Sequence, residues 1–299
     1  MSDTPVLAAL HVYPVKSCGG VSVQEAFAGP RGLLVGQVLD RSWMVADLEQ
    51  RLISQREEAA LARVRVRFVP DTAGQPEAVE LTVEGQSPLR LDPFVALDQR
   101  TDILVHGLPV PARQTRPAAN AWFSSLLGRP VQLVYQGEAE QRAIAAGYSD
   151  APTAAEVSFA DGFQYLVGSA STLAALNQRL AEPIPMARFR PNLVVGGSPA
   201  DAEYAWRRVA IGAARFALVK PCERCVMTTI DQERGVRTGK EPLASLAKSH
   251  FLDETVPGGR IHGPIFGENA VPTQCGLLRV GDAIEVLEAG AVRAFRVRD

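Results

Sequence analysis

At 299 residues the chain can bury a full core, as one large or two medium domains. Its 46% apolar and 21% charged content is that of an ordinary globular protein, and a net charge of −2 gives no bulk reason to expect nucleic acid or an anionic membrane as partner. Four cysteines in so long a chain exclude a disulfide framework. The N-terminus has no basic stretch or twin arginine, and no apolar run approaches the roughly 20 residues that cross a bilayer, so a reducing cytoplasm is the expected compartment.

The first third reads as strands. Trp43–Val45 and Leu52–Ser54 flank the polar stretch Asp47–Gln50 as a hairpin. Val64, Val66 and Phe68 alternate with Arg63, Arg65 and Arg67, the period of a strand with one buried and one wet face. The arginine row is then a solvated face rather than a basic patch. Val79, Leu81 and Val83 repeat the pattern. A helix over Ala118–Leu127 stops at Gly128, amid Pro111, Pro117 and Pro130. The domain boundary is placed here: a β-rich domain over 1–115, a connecting helix and strand over 116–145, and a second domain over 146–290. A strand at Val131–Tyr135 follows the helix.

In the second half Phe163, Tyr165 and Val167 alternate, and Ser171 or Thr172 opens a helix carrying Leu173, Leu176 and Leu180. A strand at Asn192–Val195 follows, then a hairpin of Val209–Ile211 and Phe216–Val219. Val226–Ile230 is β-branched and reads as a further strand. Pro242–Lys248 is a short helix, and Leu277–Val280 with Ala283–Leu287 is a closing hairpin across Gly281-Asp282. The class is mainly β with some helices (α+β), its many short strands closing into a β-barrel.

The chemistry concentrates in Lys220-Pro-Cys-Glu-Arg-Cys-Val-Met-Thr-Thr-Ile-Asp, where Cys222 and Cys225 lie three apart beside fixed positive charge. A thiolate there is a soft donor for a metal. A zinc site needs a second ligand pair, and His250 and His262 miss the usual finger spacing. A thioredoxin-like pair would open a helix, whereas this one sits on a strand-to-strand loop. Two inert buried thiols are the plain alternative. Elsewhere, Tyr13-Pro-Val-Lys-Ser-Cys-Gly-Gly brings an ammonium, a hydroxyl and turn N–H groups that can hold an anion. Asp40-Arg41 follows. In Arg188-Phe-Arg-Pro-Asn, Arg190 supplies a fork for phosphate and Asn192 an amide for a heterocycle edge. Singly, each of these also reads as a turn residue or a surface ion pair. His11, His106, His250 and His262 read as ordinary polar residues rather than bases.

Taken in order, Tyr13–Gly20, Asp40–Arg41, Phe189–Val195, Lys220–Asp231 with Gly235, Glu241-Pro-Leu, Phe266-Gly-Glu-Asn and Val280-Gly-Asp resemble the signature of MOSC proteins that carry the N-terminal MOSC β-barrel domain. The amidoxime-reducing component and YcbX-type proteins belong to that family. The resemblance implies a molybdenum cofactor, a pterin dithiolene ending in a phosphate, held between two domains. It implies that Cys225 ligates the molybdenum and that Cys222 is a neighbour. Lys16, Ser17 and Arg41 would hold the cofactor from the N-terminal side, and Arg190, Asn192 and Arg224 from the C-terminal side. Ser169 and Thr172, at a helix start, are further candidates, and Arg56 is expected to face the same space.

The implied activity is reduction of small N-hydroxylated compounds: amidoximes, hydroxylamines and N-hydroxylated bases. The Cys-x4-Cys-x2-Cys run of a plant-type ferredoxin domain, which some YcbX-type relatives carry, is absent from the sequence. Electrons are therefore expected from a separate ferredoxin- or flavoprotein-type donor. The alternative is a cofactor carrier or sulfur-transfer module using Cys225. Pyridoxal phosphate enters only as a family-level association, because MOSC domains also occur appended to a sulfurase; no such domain is read here.

Overall fold

The computed structural model describes residues 4–93, 99–140, 142–144, 156–256, 259–291 and 295. It is mostly strand, with three α-helices among those residues: α1 (Pro117–Leu127), α2 (Ala170–Asn177) and α3 (Leu243–Ser249). No described helix is long and apolar enough to cross a membrane.

The largest sheet has nine strands. Its path runs Val21–Val23, Val6–Val12, Leu193–Gly196, Tyr165–Ser169, Gly259–Gln274, Ala214–Glu223, Trp206–Ile211, Ile284–Ala289, and Phe251–Val256 pairs with the long Gly259–Gln274 strand off this path. Tyr165–Ser169 and Leu193–Gly196 run parallel, so a crossover must join them, and α2 lies in it. The inner face packs Leu10, Tyr165, Phe216 and Ile284 into the main core. The first strand of the chain thus belongs to the same sheet as the second half, and carries the Tyr13–Gly20 turn to it. The expected boundary at 145–146 lies outside the described residues.

A second sheet, Arg100–Val105, Leu108–Gln114, Gln132–Tyr135 and Trp43–Ala46, packs its core against α1 through Trp43, Phe123 and Leu133. α1 starts on Pro117 and ends at Gly128, whose φ of 65° is the left-handed cap that glycine adopts freely. The return limb of the expected Trp43 hairpin pairs through Ala46–Leu52 and an Ile53 N–H to Val45 O bond of 2.9 Å. In the three-stranded sheet beyond it, the strand Arg65–Pro70 exposes Arg65 and Arg67 while Val66 and Phe68 are half-buried, and Arg67 pairs across the ladder with Glu80 at 2.7 Å. Arg65 and Arg67 form the wet face that the alternation requires, whereas Arg63 ends the 3-10 turn before the strand.

Four sequence expectations are corrected. First, the main sheet is not closed into a barrel by a ladder. Its ends meet at one bridge, Val6–Ala283, because Val21–Val23 takes up the same edge of the first strand at Leu10–Val12. Second, Gly276–Arg279 and Ile284–Ala289 are not a hairpin. The first pairs with Glu25–Gly29 and the second with Trp206–Ile211. The Gly281 turn, tied to Leu7 O, sends them to different sheets. Third, α2 begins at Ala170, with Ser169 as its N-cap. Fourth, Val226–Thr229 is a 3-10 turn, not a strand. The Thr228 and Thr229 hydroxyls donate back to Cys225 O (3.0 Å) and Val226 O (2.7 Å), local bonds that override β-branched preference.

Candidate functional site

Segments far apart in sequence meet around a cleft of about 150 Å³, open to solvent. Six cations line it, Lys16, Arg41, Arg56, Arg188, Arg190 and Arg224, against the carboxylates of Asp161 and Glu223. A chain of net charge −2 therefore concentrates positive charge in one concavity.

The Tyr13–Gly20 turn forms one wall. Lys16 N–H bonds Trp43 O at 2.8 Å and Trp43 N–H returns to Pro14 O at 3.1 Å, so the turn is sewn to the second sheet. The buried Lys16 ammonium donates to Phe159 O at 2.7 Å and pairs with Asp161. Burial lowers the Lys16 pKa and the Asp161 carboxylate opposes it. For Asp161, crowding by protein works upward, but Lys16, His106 and Arg56 outweigh it and hold the carboxyl well below its usual range. Tyr13 lies between two guanidiniums, Arg190 at 4.3 Å and Arg41 at 4.8 Å from its ring centroid. Gly20 makes room for this ring: a Cβ there would sit 2.5 Å from it. Burial pushes the Tyr13 phenol up to about 12, so it stays protonated and donates to Pro191 O at 3.2 Å.

Arg41 pairs with Asp40, donates to Asn192 Oδ1 at 3.1 Å and to Arg190 O at 3.3 Å. Arg190 Nη1 donates to Cys18 O at 2.7 Å. Asn192 ties the walls together: its Oδ1 also accepts from Leu166 N at 3.3 Å and its Nδ2 donates to His11 O at 3.2 Å. Its amide is therefore largely committed to protein rather than displayed for a ligand.

Cys222 is the penultimate residue of the strand Ala214–Glu223, and Cys225 caps the 3-10 turn that follows. Arg224 reaches Cys222 Sγ at 2.9 Å and Phe189 O at 2.9 Å. Cys225 Sγ accepts from Arg56 Nε at 3.4 Å. Among the described residues no group of three or more His, Cys, Asp or Glu could hold a metal ion, so the cysteine pair lacks the protein partners of a tetrahedral zinc site. Cys18 is fully buried, which pushes its thiol up to about 12 and leaves it inert.

Two features recur among the cleft residues. Ser17, Arg41 and Arg190 have φ of 69°, 53° and 55°, the left-handed region that non-glycine residues enter at a cost. And Ser17 Oγ, Arg190 Nη2 and Arg224 Nε are buried with no hydrogen-bond partner. Native folds rarely leave such groups unpaired.

The structure brings together Lys16, Ser17, Arg41, Arg190, Asn192, Arg224 and Cys225, all on the cleft wall. Ser169 and Thr172 do not line it, which corrects the expectation for both. Ser169 Oγ is spent capping α2 at Thr172 N (3.3 Å), and Thr172 Oγ1 donates to Glu203 Oε2 at 3.0 Å. Sequence reasoning missed Asp161, a lone Asp in a Phe-Ala-Asp-Gly segment that looks like any turn, and Arg188, whose neighbours Phe189 and Arg190 drew the reading past it.

The arrangement is a cleft rich in cationic side chains with a thiol on its wall. Its fold class and sequence agree on the kind of protein this is. Residues 4–130 match the MOSC N-terminal beta barrel domain and residues 154–285 match the MOSC domain. The chain belongs to the MOSC family, in the branch that joins these two domains. It is 31% identical over 297 residues to mitochondrial amidoxime-reducing component 1 of Xenopus laevis, covering 95% of this chain and 82% of that one. The human protein of the same name is 31% identical over 292 residues, covering 96% and 84%. Molybdenum cofactor sulfurase of Oryza sativa is also 31% identical, over 81% of this chain but only 30% of the sulfurase.

Proposed function

We propose that this protein binds the molybdenum cofactor in the cleft and reduces N-hydroxylated compounds with electrons from a separate donor protein. The observation that carries the reading is that three residues lining the cleft beside Cys225 each keep a buried polar atom without a partner: Ser17 Oγ, Arg190 Nη2 and Arg224 Nε. A molybdenum cofactor fits this donor set. It is anionic and needs cations for its phosphate, hydrogen-bond donors for its pterin, and a soft protein ligand for its metal. Lys16, Ser17, Arg41, Arg190 and Arg224 would hold it, Asn192 would keep the walls in register, and Cys225 would ligate molybdenum.

Once bound, the cofactor supplies two-electron oxygen-atom chemistry, while the chain binds, orients and shields it. The relatives named for amidoxime reduction support the N-hydroxylated substrate class, and by the same comparison an external electron donor. The sulfurase relative supports the alternative, a carrier of cofactor or sulfur without turnover.

The test is to measure molybdenum on protein made in a cofactor-producing host, for wild type and Cys225→Ser, and then amidoxime reduction with a ferredoxin or flavoprotein donor. Molybdenum near one per chain, lost or inactive in the variant, together with turnover, supports the reading. Molybdenum without turnover favours the carrier. A metal-free wild type overturns both roles for the cleft.

A further inference from the structure

Arg56 is delivered to the cysteine loop by a turn that is itself firmly held. Glu57 Oε2 accepts from Ser54 N at 2.9 Å and from Ser54 Oγ at 2.7 Å, and Arg56 N donates to Ser54 Oγ at 3.2 Å. Arg237 Nη2 fixes the Arg56 carbonyl at 2.7 Å. The neighbouring Gln55 is fully buried and joins Ser17 O (2.6 Å) to Gln232 (3.1 Å). The guanidinium is then pinned at two edges: Nε points to Cys225 Sγ at 3.4 Å, and Nη2 lies 3.6 Å from Asp161 Oδ2. Asp161 is in turn fixed by Lys16 and by His106 Nε2 at 3.3 Å. An arginine whose backbone and two guanidinium edges are all engaged, and whose side chain is 29% exposed, is not a solvated surface charge.

We infer that Arg56 is a positioning residue for the Cys225 sulfur, donating a charged N–H that orients the thiolate and withdraws electron density from it. This rests on Cys225 as the molybdenum ligand. Hydrogen bonds to a ligating sulfur, and nearby charge, tune the reduction potential of the metal it holds, and partners behind a ligand commonly contribute 10–100-fold in metal affinity or activity. A donor on Sγ lowers the electron density that the sulfur gives the metal, so its loss makes the reduced state harder to reach.

The experiment compares wild type, Arg56→Gln and Arg56→Lys, each purified with its cofactor. Molybdenum content, the molybdenum EPR signal and its potential titration are read for each. The expected result is a more negative potential and altered signal in Arg56→Gln, with molybdenum retention weakened about 10–100-fold. Arg56→Lys, which keeps the charge and loses the planar fork, should recover part of the potential. A loaded wild type whose potential and signal are unchanged in both variants overturns the inference and leaves the cofactor reading standing. A wild type without molybdenum overturns the cofactor reading and this inference with it. If Arg56→Gln fails to fold, Arg56→Lys alone decides, because a purely structural arginine would change neither potential nor signal when lysine replaces it.

Discussion

The cleft and the buried polar cluster beside α2 both take polar side chains out of water, and they finish differently. Beside α2 the bonds close within the chain. Thr172 Oγ1 serves Glu203 Oε2 (3.0 Å) and Asp201 N (2.8 Å), and His250 Nε2 meets Asp201 Oδ1 at 2.9 Å. One acceptor is left over, Glu203 Oε1. Burial raises that carboxyl from 4.5 to about 7, so the leftover oxygen can carry a proton. In the cleft the leftovers are donors, two of them on arginines, which cannot shed charge at accessible pH. An unpaired carboxyl can resolve its own deficit; unpaired guanidinium N–H groups call for an acceptor from outside. Arg31 Nε shows the same deficit elsewhere in the fold, so it is the coincidence of such donors with a concavity lined by six cations that distinguishes the cleft.

The widest expected effect separates the two regions by pH. Glu203 has a folded pKa above its unfolded value, so between 4.5 and about 7 the native state holds more protons than the unfolded state and stability falls as pH rises. The full loss, about 3 kcal/mol, is reached above about pH 7. Urea unfolding at pH 5 and pH 8 should show it, and Glu203→Gln should flatten it. A slope that persists in the variant would assign the effect elsewhere.

Thr172→Val keeps the shape of the side chain and removes its hydroxyl. It strands Glu203 Oε2 and the Asp201 N–H, so a loss of about 2 kcal/mol is expected, with molybdenum content unchanged. A fall in metal content instead would mean that the cluster beside α2 takes part in the site after all.

Ser17→Gly sharpens the contrast from the other side. The hydroxyl removed has no partner within the chain, and glycine accepts the φ of 69° without cost. Relief of the strained φ offsets the extra freedom of glycine in the unfolded chain, so the cofactor-free protein should keep its thermal stability to within about 1 kcal/mol, while molybdenum retention falls. Destabilisation by well over about 1 kcal/mol would show that the turn is not held under strain.

Much of the architecture was legible in local pattern. The alternation at Val64–Phe68, the Gly128 stop of α1 and the short α3 all rest on contacts within a few residues. The closing hairpin was misread because Gly276–Arg279 and Ile284–Ala289 have strand character but choose partners some 250 and 75 residues away, Glu25–Gly29 and Trp206–Ile211. Ser169 and Thr172 were misplaced for a related reason. Their residue types suit an anion site, yet whether a hydroxyl is free depends on neighbours such as Glu203, which sequence does not place beside them.

The chain alone determined that this is a strand-rich protein with an ordered set of MOSC motifs, because periodicity and motif order are properties of a one-dimensional string. Only the tertiary structure decided which polar groups remain unpaired, that three cleft residues are held at positive φ, and that Arg56 meets a sulfur 169 positions away. The reason is that burial and hydrogen-bond completion are fixed by long-range packing, where the free energy of a donor depends on what the fold sets opposite it.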